Sequence, residues 1–112
     1  MSNPFDESLE ADEAARQILA EVVRRYGTPT YAFDVRRLQM QVERLRRHLP
    51  SEVEVLYSLK ANASLGICDV LARCGVGADV ASAGEFETAI AAGFAPDQIF
   101  VAAPFKMSDT IQ

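Results

Sequence analysis

One lysine stands where an apolar run ends. Lys60 falls in Tyr57-Ser58-Leu59-Lys60-Ala61-Asn62, and from Val53 onward the residues before it are apolar except Glu54 and Ser58. An amine at the end of such a strand is expected to be partly desolvated. Desolvation lowers its pKa and leaves the neutral form free to attack a carbonyl. The plainer reading is a strand-end lysine that simply reaches water. Asp79 and Lys106 shift the balance, because they lie in or just after the next two strand-like runs. Polar residues recurring at successive C-terminal strand ends are what a site at the mouth of a barrel requires. Ser82-Ala83-Gly84-Glu85 has two readings. Ser82 and Glu85 have the spacing of a helix capping box, which is sufficient by itself, or they belong to the same site. Gly84 either lets a ligand approach closely or only opens the helix.

Other chemistries find less support. His48 is the sole histidine, near the end of a helical pattern where its charge suits the dipole, so Ser-His or Cys-His nucleophiles are not expected. Cys68 and Cys74 have neither the spacing nor the partners of a zinc site or a disulfide framework. No metal site is expected, and Cys68 reads as a small buried apolar residue on a helix. The glycines after the first strand form neither GxGxxG nor a P-loop, so dinucleotide and NTP binding lack support.

The elements that must position these residues follow from periodicity. Residues 1–8 read as a tail. Ala15, Ile18, Leu19, Val22, Val23 and Tyr26 have helical spacing, with Arg24 and Arg25 at the end and Gly27 as the stop. Thr30-Tyr31-Ala32-Phe33 reads as a short strand after Pro29. Asp34 can cap a second helix whose stripe is Val35, Leu38, Val42, Leu45 and Leu49, ended by Pro50. Strands are expected at 53–59, 78–81 and 99–103. Between them lie helices capped by Ser64 and Ser82 and stopped by Gly75 and Gly93. Strands alternating with helices in this way predict βαβ units and a parallel sheet with right-handed crossovers. In the first strand Leu56, Ser58 and Lys60 share one face. Val55, Tyr57 and Leu59 share the other, which suits packing on helices.

Composition sets the outer limits. A chain of 112 residues is the size of one domain and can bury about 65% of the surface its unfolded form exposes. It is 49% apolar and 24% charged, as soluble globular proteins are. No run approaches a transmembrane span, and the acidic N-terminus does not read as a secretory signal. The net charge of −5 comes from Asp6, Glu7, Glu10, Asp12 and Glu13, and the rest of the chain balances. No basic face is left to track phosphates, so nucleic acid is not an expected partner. Arg36, Arg37, Arg44, Arg46 and Arg47 read as a solvated helix face. The cysteine usage fits a reducing, cytoplasmic setting.

Tyr57-Ser58-Leu59-Lys60-Ala61-Asn62 resembles the N-terminal lysine motif of the fold-type III pyridoxal-phosphate decarboxylases, the group of diaminopimelate, ornithine and arginine decarboxylases. The resemblance continues through Gly75-Val76-Gly77-Ala78-Asp79-Val80-Ala81-Ser82-Ala83-Gly84-Glu85, Ala92-Gly93-Phe94, Ile99 and Pro104-Phe105-Lys106. It spans residues 27–112, with the motifs in order. It implies an α/β fold, the N-terminal part of an alanine-racemase-like (β/α)8 TIM barrel with three βα units present. Residues 1–26 would be a tail and helix, and 27–112 the start of the cofactor-binding barrel. Lys60 would hold pyridoxal 5'-phosphate as a Schiff base. Asp79 would lie beside the cofactor, Ser82 and Glu85 match the family pattern as cofactor-binding residues, and Lys106 matches a family lysine.

The activity so implied is decarboxylation of a basic or diamino acid by a homodimer whose active sites are shared. Family members are several times longer. Their glycine-rich phosphate segment, the acidic partner of the pyridine nitrogen and a cysteine motif all come later in the chain. Ser108-Asp109-Thr110 also reads as a helix start cut short at Gln112, so a truncated and inactive fragment is expected. Two alternatives remain. A racemase of the same fold type typically has Tyr-Gly where Ser64-Leu65 stands. A non-catalytic, partner-binding relative has less need of Lys60 and Asp79.

Overall fold

The computed structural model describes residues 13–102, and the chain divides into two units, Met1–Phe33 and Asp34–Gln112. Expectations for the N-terminal tail, Lys106 and the helix start at Ser108 lie outside the described residues. In the first unit α1 spans Glu13–Tyr26, with Glu13 in its first turn and Arg24 and Arg25 in its last. Arg24 pairs with Glu21 one turn back. Gly27 stops the helix at φ 77°, a left-handed conformation that glycine adopts without strain.

Thr30–Phe33 is not the strand its β-branched and aromatic residues suggest. The backbone there is irregular and all four side chains are exposed, Tyr31 at 92%. Strand propensity is realised by packing on neighbours, and no described strand pairs with this stretch.

The second unit opens with α2 (Val35–His48), capped by Asp34, whose Oδ1 accepts from Arg36 N–H at 2.9 Å. Then come β1 (Leu56–Ser58), α3 (Leu65–Arg73), β2 (Gly77–Val80), α4 (Ala83–Ala91), a 3-10 turn at Pro96–Gln98 and β3 (Ile99–Val101). The strands form one parallel sheet in the order β1-β2-β3, as the alternating pattern predicts. β1 and β3 are shorter than expected, and β2 keeps its expected four residues but begins and ends one residue earlier. Val53 and Glu54 precede the start of β2 and find no ladder. Leu59 already turns, and Ala81 N–H goes to the Glu85 carboxylate.

One face of the sheet carries the core. Ala78 and Val80 of β2 and Leu59 just past β1 are buried with Ile67, Cys68 and Leu71 of α3 and Ala89 of α4. Tyr57, Val55 and Ile99 pack at the margin, so the parity read from the first strand holds. Burial of a side chain such as Leu59 or Leu71 contributes about 1.5–3 kcal/mol. Gly77 has a positional reason. A Cβ there would fall 2.5 Å from Leu56 Cδ2 and 2.7 Å from the Gln98 carbonyl oxygen, so any side chain would push the strands apart.

Candidate active site

The other face of the sheet gathers the polar side chains. Parallel register places Ser58 opposite Asp79 and Asp79 opposite Phe100, a single row across three strands. Ser58 and Asp79 are half-buried and Phe100 is 48% exposed. Lys60 follows Ser58 by two residues, beyond the C-terminal end of β1. It lies in a turn closed by Ala61 N–H donating to the Ser58 carbonyl at 3.1 Å. Leu59 N–H donates to the Asp79 carbonyl at 3.1 Å, which ties this turn to β2.

Lys60 is exposed. The desolvation expected from its apolar strand is therefore not supplied by the described residues. Neither its ammonium nor the Asp79 carboxylate has a hydrogen-bond or ion-pair partner among them. Residues bearing an amine, a carboxylate and a hydroxyl thus lie near the C-terminal edge of one parallel sheet, Ser58 opposite Asp79 in register and Lys60 two residues further on. This donor set fits a carbonyl-bearing cofactor. The amine can form a covalent bond to the carbonyl carbon, and the carboxylate can hold a proton or a cation beside it.

Ser82 and Glu85 are placed differently. Ser82 Oγ accepts from Glu85 N–H at 3.1 Å, and Glu85 Oε2 accepts from Ala81 N–H at 2.7 Å. This is the expected capping box with one change. The carboxylate reaches the residue before the cap rather than the cap itself. Gly84 sits in open space, where a Cβ would meet nothing within 4 Å.

Ser64 does not cap α3 with its side chain. Its N–H instead donates to Asn62 Oδ1 at 2.9 Å, an Asx-type turn. Tyr57 Oη donates to the Asn62 carbonyl at 2.9 Å. Sequence reading assigned roles to neither Asn62 nor Phe100. An Asn two residues before a candidate cap signals the former, and strand parity applied to β3 signals the latter. Burial raises the Tyr57 phenol above its ordinary pKa, with the nearby Cys68 adding to the effect, and burial likewise raises the Cys68 thiol.

The remaining residues weighed from sequence behave structurally. Cys68 is fully buried, and both cysteines are free. His48 is exposed, its Nδ1 2.7 Å from the Arg44 carbonyl one turn back. The arginines are mostly exposed. Arg36 and Arg47 pair with Asp34 and Glu43, and Arg46 donates to the Cys74 carbonyl at 2.6 Å. No group of side chains able to hold a metal occurs among the described residues. No helix there is long and apolar enough to cross a membrane.

Residues 35–112 match the family model described as pyridoxal-dependent decarboxylase, pyridoxal binding domain. Among curated proteins, the diaminopimelate decarboxylase of Pseudomonas fluorescens is 38% identical over 82 residues, covering 72% of this chain and 20% of that one. That of Methanothermobacter thermautotrophicus is 37% identical over 95 residues, 82% of this chain and 22% of the relative. That of Pseudomonas aeruginosa is 34% identical over 95 residues, 84% and 23% respectively. The chain thus spans about a fifth of the length of the curated relatives it matches.

Proposed function

The chain belongs to the pyridoxal-dependent decarboxylase family, through its pyridoxal-binding domain, and from that premise we propose that the full-length protein removes CO2 from a basic or diamino acid. Diaminopimelate, named in the relatives, is the first substrate to try. Residues 27–112 would be the opening βα units of a (β/α)8 barrel. The whole protein would act as a cytoplasmic homodimer with the remainder of the pocket supplied by the length this chain does not span. One observation carries the reading. Within the stretch matched by the family model, Lys60 and Asp79 lie at the C-terminal edge of adjacent parallel strands with no partner for either side chain among the described residues.

Pyridoxal phosphate, when bound, supplies a conjugated ring that takes up the electron pair left on the substrate carbon as CO2 departs. Lys60 Nζ would hold the cofactor by a covalent bond to its aldehyde carbon, with the aldehyde oxygen leaving as water. Once displaced by the substrate amine, Lys60 is free to carry a proton at Nζ. The Asp79 carboxylate on the neighbouring strand would keep that proton, or a cofactor cation, charged. Ser82 and Glu85 would serve the cofactor by fixing the turn after β2. The Ser82 oxygen already accepts from the backbone, and its hydroxyl hydrogen remains available to donate.

The test is CO2 release by the full-length protein from diaminopimelate, lysine, ornithine and arginine, with chiral analysis of the unreacted amino acid. Release from one of these without inversion is expected. Inversion without CO2 would establish the racemase instead.

A further inference from the structure

Lys60 occupies a turn that is fastened on both sides, and one fastener is a side chain that the cofactor chemistry leaves without a role. On the upstream side, the Leu59 side chain is 1% exposed in the core and its N–H is bonded to β2. On the downstream side, the Asn62 carbonyl accepts the Tyr57 hydroxyl at 2.9 Å, and Asn62 Oδ1 accepts Ser64 N–H at 2.9 Å. The buried Cys68 sulfur lies 3.9 Å from the same carbonyl. The Tyr57 ring packs at the margin of the core. Its hydroxyl therefore reaches forward from the rigid sheet, past the lysine, to hold the backbone two residues beyond it.

The Lys60 side chain is exposed and has no partner among the described residues, so the backbone of this turn sets where its amine starts from. Strand-to-helix loops are otherwise the mobile part of such folds. A reacting group displaced by about 1 Å loses much of its rate. Removing the phenol oxygen would leave the Asn62 carbonyl without its tie to β1 while keeping the ring in place.

We propose that Tyr57, acting through the Asn62 carbonyl, is a positioning residue that fixes the turn presenting Lys60, with the Asn62 side chain completing the same brace. The proposal rests on the reading of Lys60 as the cofactor attachment residue.

The experiment uses the full-length protein freed of cofactor and mixed with pyridoxal phosphate. The rate of borohydride-trapped label on Lys60 is followed across pH, together with amide hydrogen exchange at residues 60–64. Tyr57→Phe is expected to slow trapping about three- to tenfold, the worth of one hydrogen bond, and to speed exchange at 60–64. Leu71→Val, a core change away from the turn, is expected to leave both unchanged at equal folded fraction. Asn62→Asp keeps the acceptor and is expected to leave exchange at 60–64 as in wild type, whereas Asn62→Ala speeds exchange and slows trapping. Wild-type trapping in Tyr57→Phe, or equal slowing in Leu71→Val, overturns the proposal. If Tyr57→Phe does not fold, the Asn62 pair decides, and a wild-type rate in Asn62→Ala overturns it. Wild-type protein unlabelled at Lys60 defeats the attachment reading instead. The brace is then judged on hydrogen exchange, where no change in Tyr57→Phe is its failure.

Discussion

Among the described residues two complete turns lead from the C-terminal edge of this sheet into a helix, and they are closed by different means. The turn from β2 into α4 has two residues, Ala81 and Ser82. It is satisfied by its own neighbourhood, with Ser82 capping Glu85 N–H and Glu85 holding Ala81 N–H. The turn from β1 into α3 runs from Leu59 to Ser64. Its serine caps nothing with its side chain, and closure comes from the Asn62 side chain and from Tyr57 back in the strand. The short turn thus consumes its polar groups in holding itself together. The long turn is held by residues on either side of Lys60, which leaves the amine itself free. Chemistry is expected in the turn that leaves its amine free, and structural cost in the turn whose oxygens accept its own backbone N–H groups.

This difference can be broken experimentally. Lys60→Ala in the full-length protein should reduce decarboxylation to background and abolish stable cofactor retention, with the urea midpoint of the cofactor-free protein unchanged; retained activity would remove the long turn from the chemistry. Asp79→Asn should lower kcat/KM by about a hundredfold at unchanged fold, a loss typical of a proton-handling group. In the short turn the effect should appear in stability instead. Ser82→Ala should cost about 1 kcal/mol in urea unfolding, whereas Ser64→Ala, at the same position before its own helix, should stay within about 0.5 kcal/mol. Equal costs for the two serines would erase the contrast.

The smallest effects concern pH. Tyr57 and Cys68 have folded values raised by burial, so their contribution is fully present below the unfolded values of about 10 and 8.5 and is lost as pH rises through the folded ones. Stability should therefore decline on the alkaline side, and less steeply in Tyr57→Phe. Desolvation pushes the Asp34 carboxyl up, but hydrogen bonds and charge from Arg36 outweigh it and bring the value down. That cap should be lost only as pH falls below the usual carboxylate range, as read by circular dichroism of α2.

Much of the architecture was legible because apolar spacing and stop residues agree. Gly75 and Gly93 end their helices at φ 74° and 91°, where glycine is favoured. Strand parity correctly placed Tyr57 and Leu59 toward the helices and Ser58 on the other face. Three things were not legible, for physical reasons. Thr30–Phe33 has strand residues but no ladder partner among the described residues, and a strand exists only as one of a pair. Ser64 has the position of a cap, but its hydroxyl oxygen accepts no N–H of α3 and its own N–H is held by Asn62 Oδ1 in an Asx-type turn, an arrangement that spacing alone does not distinguish from a cap. The desolvation expected around Lys60 requires walls on the open face of the sheet, and a single strand's composition cannot supply them.

The placement of the cofactor on Lys60 is tested most directly by borohydride reduction of the full-length holoprotein followed by peptide mapping. The pyridoxyl mass should be recovered on the peptide containing Lys60 and should vanish in Lys60→Ala. A label on Lys106 or on any other lysine, with Lys60 unmodified, would contradict it.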